Sequence, residues 1–285
     1  MRVLVLGASG MLGSAVFRIL SEKDDWKVFG TVRSEALKGF FSSELGERLV
    51  VGCDIENHDA LAKVFSQVGP DVVINCIALS KGSANVSDHP MQSFSIYALL
   101  PHRLAVLCSL AKARLVHIST DGVFSGTKGG YTEDDPPDAK DMYGISKSLG
   151  EVRYPHTITL RTSIIGLELQ TAHGLIGWFL SQRNECKCFT RAIFSGLPTI
   201  VLAQIIRDIV IPRADLFGIY HVAAEPISKF DLLRLVADVY GKSIDLEPDD
   251  QVVIDRSLNA QRFRAATGYV TPAWPELITL MHSYR

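Results

Sequence analysis

The apolar positions fall in short runs separated by stretches of helical period, and over the first half of the chain the alternation is regular. Residues 2–6 are apolar and β-branched and read as a strand; Ala15-Val16 and Ile19-Leu20 then repeat at the spacing of one helix face. Residues 27–32 read as a second strand, 48–53 as a third, 58–68 as a helix and 71–78 as a fourth strand, buried on both faces. Residues 90–113 read as a long helix carrying Pro101, which predicts a kink or break. A fifth strand at 115–118 runs into a Gly/Pro/Asp-rich loop and a helix beginning near Asp141. Four strand–helix alternations before this point predict an α/β fold with a doubly wound parallel (Rossmann) sheet.

In the second half, a strand at 157–160 leads to Arg161-Thr162-Ser163, after which the composition shifts. Residues 173–182 are largely apolar and aromatic, 183–190 mostly polar. Ser195-Gly196-Leu197-Pro198 reads as a turn, 199–210 as a helical run, 218–222 as a returning strand and 229–240 as an amphipathic helix; 256–268 carries several cations. The expected division is a dinucleotide-binding domain over 1–165, with a segment near 192–224 returning to it. Residues 166–191 and 225–285 would form a smaller C-terminal substrate-binding lobe.

Composition narrows the function by exclusion. With 285 residues and a formal net charge of −2, the chain offers a sizeable core but neither a nucleic-acid footprint nor a polybasic membrane patch. No run approaches the roughly 18 apolar residues of a membrane span, and the apolar start is too short for a signal-peptide core, so a cytoplasmic protein is expected. Cys53, Cys76, Cys108, Cys186 and Cys188 are odd in number and lack paired Cys-x-x-Cys spacing. They read as buried thiols in a reducing compartment, and no metal site is assigned.

The first candidate chemistry follows the first strand at once. Gly7, Gly10 and Gly13 stand in a G-x-x-G-x-x-G turn that opens a helix at Met11. Gly7 permits the tight turn, Gly10 the approach of backbone to a pyrophosphate, and Gly13 close packing of helix on strand. The second strand ends in Arg33 and Ser34, where an NAD site would carry Asp or Glu; a cation and a hydroxyl suit a 2′-phosphate, so NADP(H) is favoured over NAD(H). Asp54 and Ile55, after the third strand, are placed for the adenine, and Ala78, ending the fourth, completes the cofactor-binding set.

The second is the pair Tyr143 and Lys147, four apart and therefore on one helix face. A phenol titrates near 10, and an adjacent ammonium favours the phenolate; a drop of about 3 units corresponds to about 4 kcal/mol. Thr120, at the carboxyl end of the fifth strand, would hydrogen-bond the same substrate oxygen. Tyr-x-x-x-Lys alone is a weak signal, and its context gives it weight.

With these features in order the chain resembles an extended short-chain dehydrogenase/reductase, and within that group the dTDP-4-dehydrorhamnose reductase family. VHISTDGVFSG, YGISKSLGE, LRTSIIG, SGLPT, GIYHVAAE and RSLNAQRFRAATGY echo its blocks over nearly the whole length. The resemblance implies that Thr120, Tyr143 and Lys147 carry catalysis. Tyr143 would protonate a sugar C4 carbonyl oxygen as hydride arrives from the nicotinamide, and Lys147 would also hold the nicotinamide ribose. Asp121, Arg161, Thr199 and Arg256 would bind the substrate.

The implied activity is NADP(H)-dependent reduction of a nucleotide-linked 4-keto-6-deoxy sugar in polysaccharide or glycan-precursor synthesis. The expected partner is a nucleotide-diphosphate sugar, with neither nucleic acid nor membrane and with a homodimer left open. The alternatives are a nucleotide-sugar epimerase or dehydratase of the same group, and a non-catalytic NADP-binding regulatory subunit like that of methionine adenosyltransferase. Two positions depart from the family. Tyr97 stands where Asn is usual, an Asn that in related enzymes orders a helix kink and a proton-relay water, and Gly122 stands where an aromatic is common.

Overall fold

Seven short strands, most of their residues buried, set the architecture: β1 (Arg2–Leu6), β2 (Lys27–Val32), β3 (Leu49–Val51), β4 (Val72–Asn75), β5 (Arg114–Ile118), β6 (Thr157–Arg161) and β7 (Gly218–His221). In the computed structural model, which describes residues 1–79 and 90–284, they form one sheet in the order β7-β6-β5-β4-β1-β2-β3. Every pairing in it is parallel. This is the doubly wound sheet expected from the alternation.

Side chains alternate faces along a strand, so one strand feeds two cores. Val3 and Val5 join the core that includes Phe17, Leu202 and Leu277, whereas Leu4 and Leu6 join Leu61, Phe65, Leu104 and Leu115 on the other face. Burying each such side chain contributes roughly 1.5–3 kcal/mol, and both faces must be covered. Helix α1 (Met11–Ser21) packs against the helix Thr199–Ile205 on one side; α2 (His58–Val68) and α3 (Leu100–Ala111) cover the other. The strand order reverses between β1 and β4, which opens a crevice at their carboxyl ends.

The helix around Pro101 is broken as expected, and in an informative way. A turn at Pro90–Ser93 passes into a π-helical segment, Phe94–Leu99, and only then into α3, whose first turn holds Pro101. A proline there lacks the N–H that an α-helix would give to the Tyr97 carbonyl, and the wider turn absorbs the mismatch. That carbonyl instead packs on Gly150, where a Cβ would lie 1.9 Å from its oxygen.

One expectation needs correction. The run Pro90–Ala111, with a mean hydropathy of 1.5, is long and apolar enough to span a membrane by length and composition alone. In the fold Leu100, Leu104, Ala105 and Cys108 lie on the sheet, which accounts for much of that apolarity.

The second half holds strands that its polar composition hid. Glu185–Phe189 pairs in parallel with Asp245–Asp249, turning Cys186 and Cys188 inward and Glu185 and Lys187 outward. Ala192–Phe194 pairs with both Ile227–Ser228 and Ile254–Asp255. The turn expected at 195–198 ends in a short pairing of Leu197–Pro198 with Ile164–Ile165. Ile176, Phe179 and Leu232 belong to the same apolar core as Val3 and Val5.

Candidate active site

The phosphate cradle is built from glycines for reasons of space. Gly7 has φ +80°, a conformation that costs other residues free energy, and its N–H donates to Thr31 Oγ1 at 3.1 Å. A Cβ on Gly13 would lie 2.0 Å from the Gly7 carbonyl oxygen, so only glycine lets α1 start this close to β1. Gly10 caps α1 in an extended conformation without a side-chain cap, and the first turn carries no acidic residue. The N–H groups there are free to meet an anion, and the cradle fits a dinucleotide pyrophosphate. Met11 reaches from the first turn toward Gly174.

Around the crevice, Arg33 and Ser34 are exposed after β2, Ser34 capping the turn Glu35–Phe40. Asp54 is exposed and accepts from the Glu56 N–H at 3.0 Å, Ile55 packs on the core edge, and Ala78 is exposed after β4.

On the substrate side, helix α4 (Met142–Leu149) is capped by Asp141, whose carboxylate accepts from the Gly144 N–H at 2.8 Å. Gly144 is required because a Cβ there would fall 2.3 Å from the Gly122 carbonyl oxygen. Gly122 in turn faces the Tyr143 ring, where a Cβ would sit 3.0 Å from Cε1. The helix and the loop after β5 therefore approach through two glycines, and that approach places Tyr143 beside Thr120.

Thr120 donates to Asp121 Oδ1 at 3.2 Å and accepts from the Gly122 N–H at 3.0 Å. Burial pushes the Tyr143 phenol above its ordinary value; the Thr120 hydroxyl pulls it back, while Asp121 and Asp141 push the same way as burial. This corrects the expectation that Lys147 holds the phenol low. Lys147 is itself buried and donates to the Ile118 carbonyl at 2.7 Å. Burial lowers it to about 8, opposed by Glu151 and the Cys76 thiol. The arrangement keeps a proton on Tyr143, which suits a proton donor.

Asp121 lies within the same cluster. Burial raises its carboxyl to about 6, against the pull of Arg256, the Thr120 and Ser163 hydroxyls and Lys229. Arg256 also stands 3.9 Å from Asp141, with its Nε buried and unpartnered. Thr199 begins its helix with its hydroxyl against Gly166.

Arg161 is placed elsewhere. Its guanidinium is shut off from solvent, paired twice at 2.7 Å with Glu151, 3.2 Å from His221 Nε2 and 5.1 Å from the Phe124 ring centre. A side chain so enclosed braces β6 against Glu151, His221 and Phe124. Arg262 is likewise engaged, by Glu133 and Asp134.

Reading of the sequence missed Glu151, Lys229, Ser163 and Asn75, which accepts from the Ile77 N–H and pairs with His117 to shape the end of β4. Glu151 had a signal: it continues the spacing of Tyr143 and Lys147 by four more residues.

A glycine cradle at the switch point and a Tyr/Lys helix beside a Thr-bearing strand end define an extended short-chain dehydrogenase/reductase. The match is to a family model described as the RmlD substrate binding domain over residues 1–275, and the chain belongs to that family. It is 28% identical to methionine adenosyltransferase 2 subunit beta of Danio rerio, over 84% of this chain and 74% of that one. It is 27% identical to the dTDP-4-dehydrorhamnose reductase of Aggregatibacter actinomycetemcomitans, over 83% and 78%. The structure of dTDP-4-dehydrorhamnose reductase from Bacillus anthracis, solved in complex with NADP, superposes with a TM-score of 0.79 over 99% and 98% of the chains at 22% identity.

Proposed function

We propose that this protein is an NADP(H)-dependent oxidoreductase that reduces the 4-keto group of a nucleotide-linked 4-keto-6-deoxy sugar, in polysaccharide or glycan-precursor synthesis. The observation that carries the reading is the half-buried Tyr143 set beside Thr120, with Lys147 on the same helix face and hydrogen-bonded to the end of β5, next to the glycine cradle. The names of the reductase relatives support the substrate class.

Gly7, Gly10, Met11 and Gly13 would hold the pyrophosphate, Arg33 and Ser34 the 2′-phosphate, Asp54 and Ile55 the adenine, and Ala78, Tyr143 and Lys147 the nicotinamide half. NADPH, when bound, supplies the hydride. Tyr143 keeps its proton until the substrate oxygen arrives and then donates it. Thr120 exchanges its Asp121 partner for that oxygen, so its hydrogen bond strengthens as charge develops. Arg256 and Lys229 are the cations proposed for the diphosphate, and residues 166–191 and 225–285 the lobe that closes over it.

Exposed Leu99, Val106 and Leu110 on one helix, with Ile145 and Leu149 on α4, support a homodimer. Five unpaired thiols suit the cytoplasm.

Single-turnover NADPH oxidation against a panel of 4-keto sugar nucleotides tests the activity. The similarity to the methionine adenosyltransferase subunit favours one second reading, a non-catalytic NADP-binding subunit. NADPH binding without reduction of any panel member would select it.

A further inference from the structure

Tyr97 is almost wholly buried, yet it belongs neither to the strand ends nor to α4. It sits in the π-helical segment Phe94–Leu99, and three features of its side chain converge on the catalytic helix and the cofactor edge. Its ring meets the Tyr143 ring edge to face, with centroids 5.4 Å apart and planes at 88°. Lys147 Nζ lies over the ring, 5.4 Å from its centroid, within cation–π range. Its hydroxyl accepts from the Leu79 N–H at 2.9 Å, one residue beyond Ala78 in the segment that follows β4.

The backbone is equally specific. The Tyr97 carbonyl packs into the space left by the missing Cβ of Gly150, so the wide turn that Pro101 imposes is locked against the end of the catalytic helix. Lys147 otherwise faces the Glu151 carboxylate, the Cys76 thiol and the His117 imidazole, with the Ile118 carbonyl as its hydrogen-bond acceptor. In these surroundings the ring face, like the Ile118 carbonyl, stabilises the ammonium without supplying a second charge.

We propose that Tyr97 is a positioning residue for the Tyr143/Lys147 pair: its face holds the Lys147 ammonium charged, its edge fixes the Tyr143 ring, and its hydroxyl ties both to the backbone at the cofactor edge. The inference rests on the reductase reading, but its first measurement does not need turnover.

NMR titration of labelled lysines in the cofactor-free protein, with Lys147 assigned by its loss in Lys147→Met, reads the ammonium directly. Tyr97→Leu should lower the pH at which Lys147 titrates by about half to one unit, and Tyr97→Phe should leave it unchanged. Tyr97→Leu should also move the alkaline limb of the kcat profile down by the same amount. Tyr97→Phe should instead weaken NADPH binding about three- to tenfold, because the Leu79 N–H loses its acceptor. A Lys147 titration unmoved in Tyr97→Leu overturns the assignment. Should that variant not fold, parent-like NADPH affinity in Tyr97→Phe overturns it. If the parent protein reduces no sugar nucleotide while the Lys147 titration moves as stated, the reductase reading fails and the role of Tyr97 stands.

Discussion

Glu151 and Arg161 meet as two forks: Nε donates to Oε1 and Nη2 to Oε2, each at 2.7 Å, with side-chain exposures of 3% and 0%. Oε1 accepts in addition from the Ser119 hydroxyl at 2.7 Å, so the pair also holds the residue before Thr120. Two buried charges gain little over apolar residues of equal shape, but one left alone is costly.

Arg161→Ala should therefore destabilise the protein by about 3–5 kcal/mol, and the double replacement Glu151→Leu with Arg161→Met should recover most of that. Urea denaturation of the single and double variants reads both values. An Arg161→Ala protein within about 1 kcal/mol of the parent would show that the pair is not holding the strand ends.

The carboxyl of Asp121 sets a pH dependence whose sign follows from its shift. The unfolded chain ionises near 3.8 and the native carboxyl near 6, so the native state binds the extra proton between them. Stability from this group is therefore lost as pH rises through that window and stays lost above it. Asp121→Asn should raise the thermal midpoint of the cofactor-free protein at pH 8, by up to about 2 kcal/mol in stability, with the gain closing below pH 4. A gain that is equal at both pH values rules out the titration as its cause.

Tyr143→Phe keeps the ring against Tyr97 but removes the proton. Turnover should fall about 10²–10⁴-fold while NADPH still binds. Lys147→Met should lower turnover and cofactor affinity together, and Thr120→Val should have the mildest effect. These rank orders are read by single-turnover oxidation alongside cofactor titration. Parent-like turnover in Tyr143→Phe would assign the proton to another group.

Arg33→Ala should cost about 1–3 kcal/mol of NADPH affinity with little change for NADH. Fluorescence titration with both cofactors decides this, and equal affinities in the parent would remove the basis for the preference.

The sheet was legible because burial on both faces leaves uninterrupted apolar runs, as in β4, and the cradle because three glycines follow β1 directly. What stayed hidden depended on which partner a polar group meets. Arg161 looks like any cation in LRTSIIG, and only folding brings Glu151 against it. Tyr143 and Lys147 share a helix face, but the balance of burial against charge on the phenol is a property of the loop around Asp121. The strand at Glu185–Phe189 was masked because its outward residues are charged and its inward ones are cysteines.

The sheet pairs β6 with β7, the latter supplied by residues 218–221, about sixty positions later in the chain. A parallel pairing admits no local hairpin, so β6, the outer neighbour of the Thr120 strand, acquires its own second neighbour only once that distant segment has docked. On a ribosome, a nascent chain that has already emerged through β6 therefore presents that strand as an open edge. His221, which completes the contacts of Arg161, arrives with that last strand. Closure of the sheet edge around Arg161 is thus a late event, and the interval before it is when the chain is exposed to edge-to-edge association.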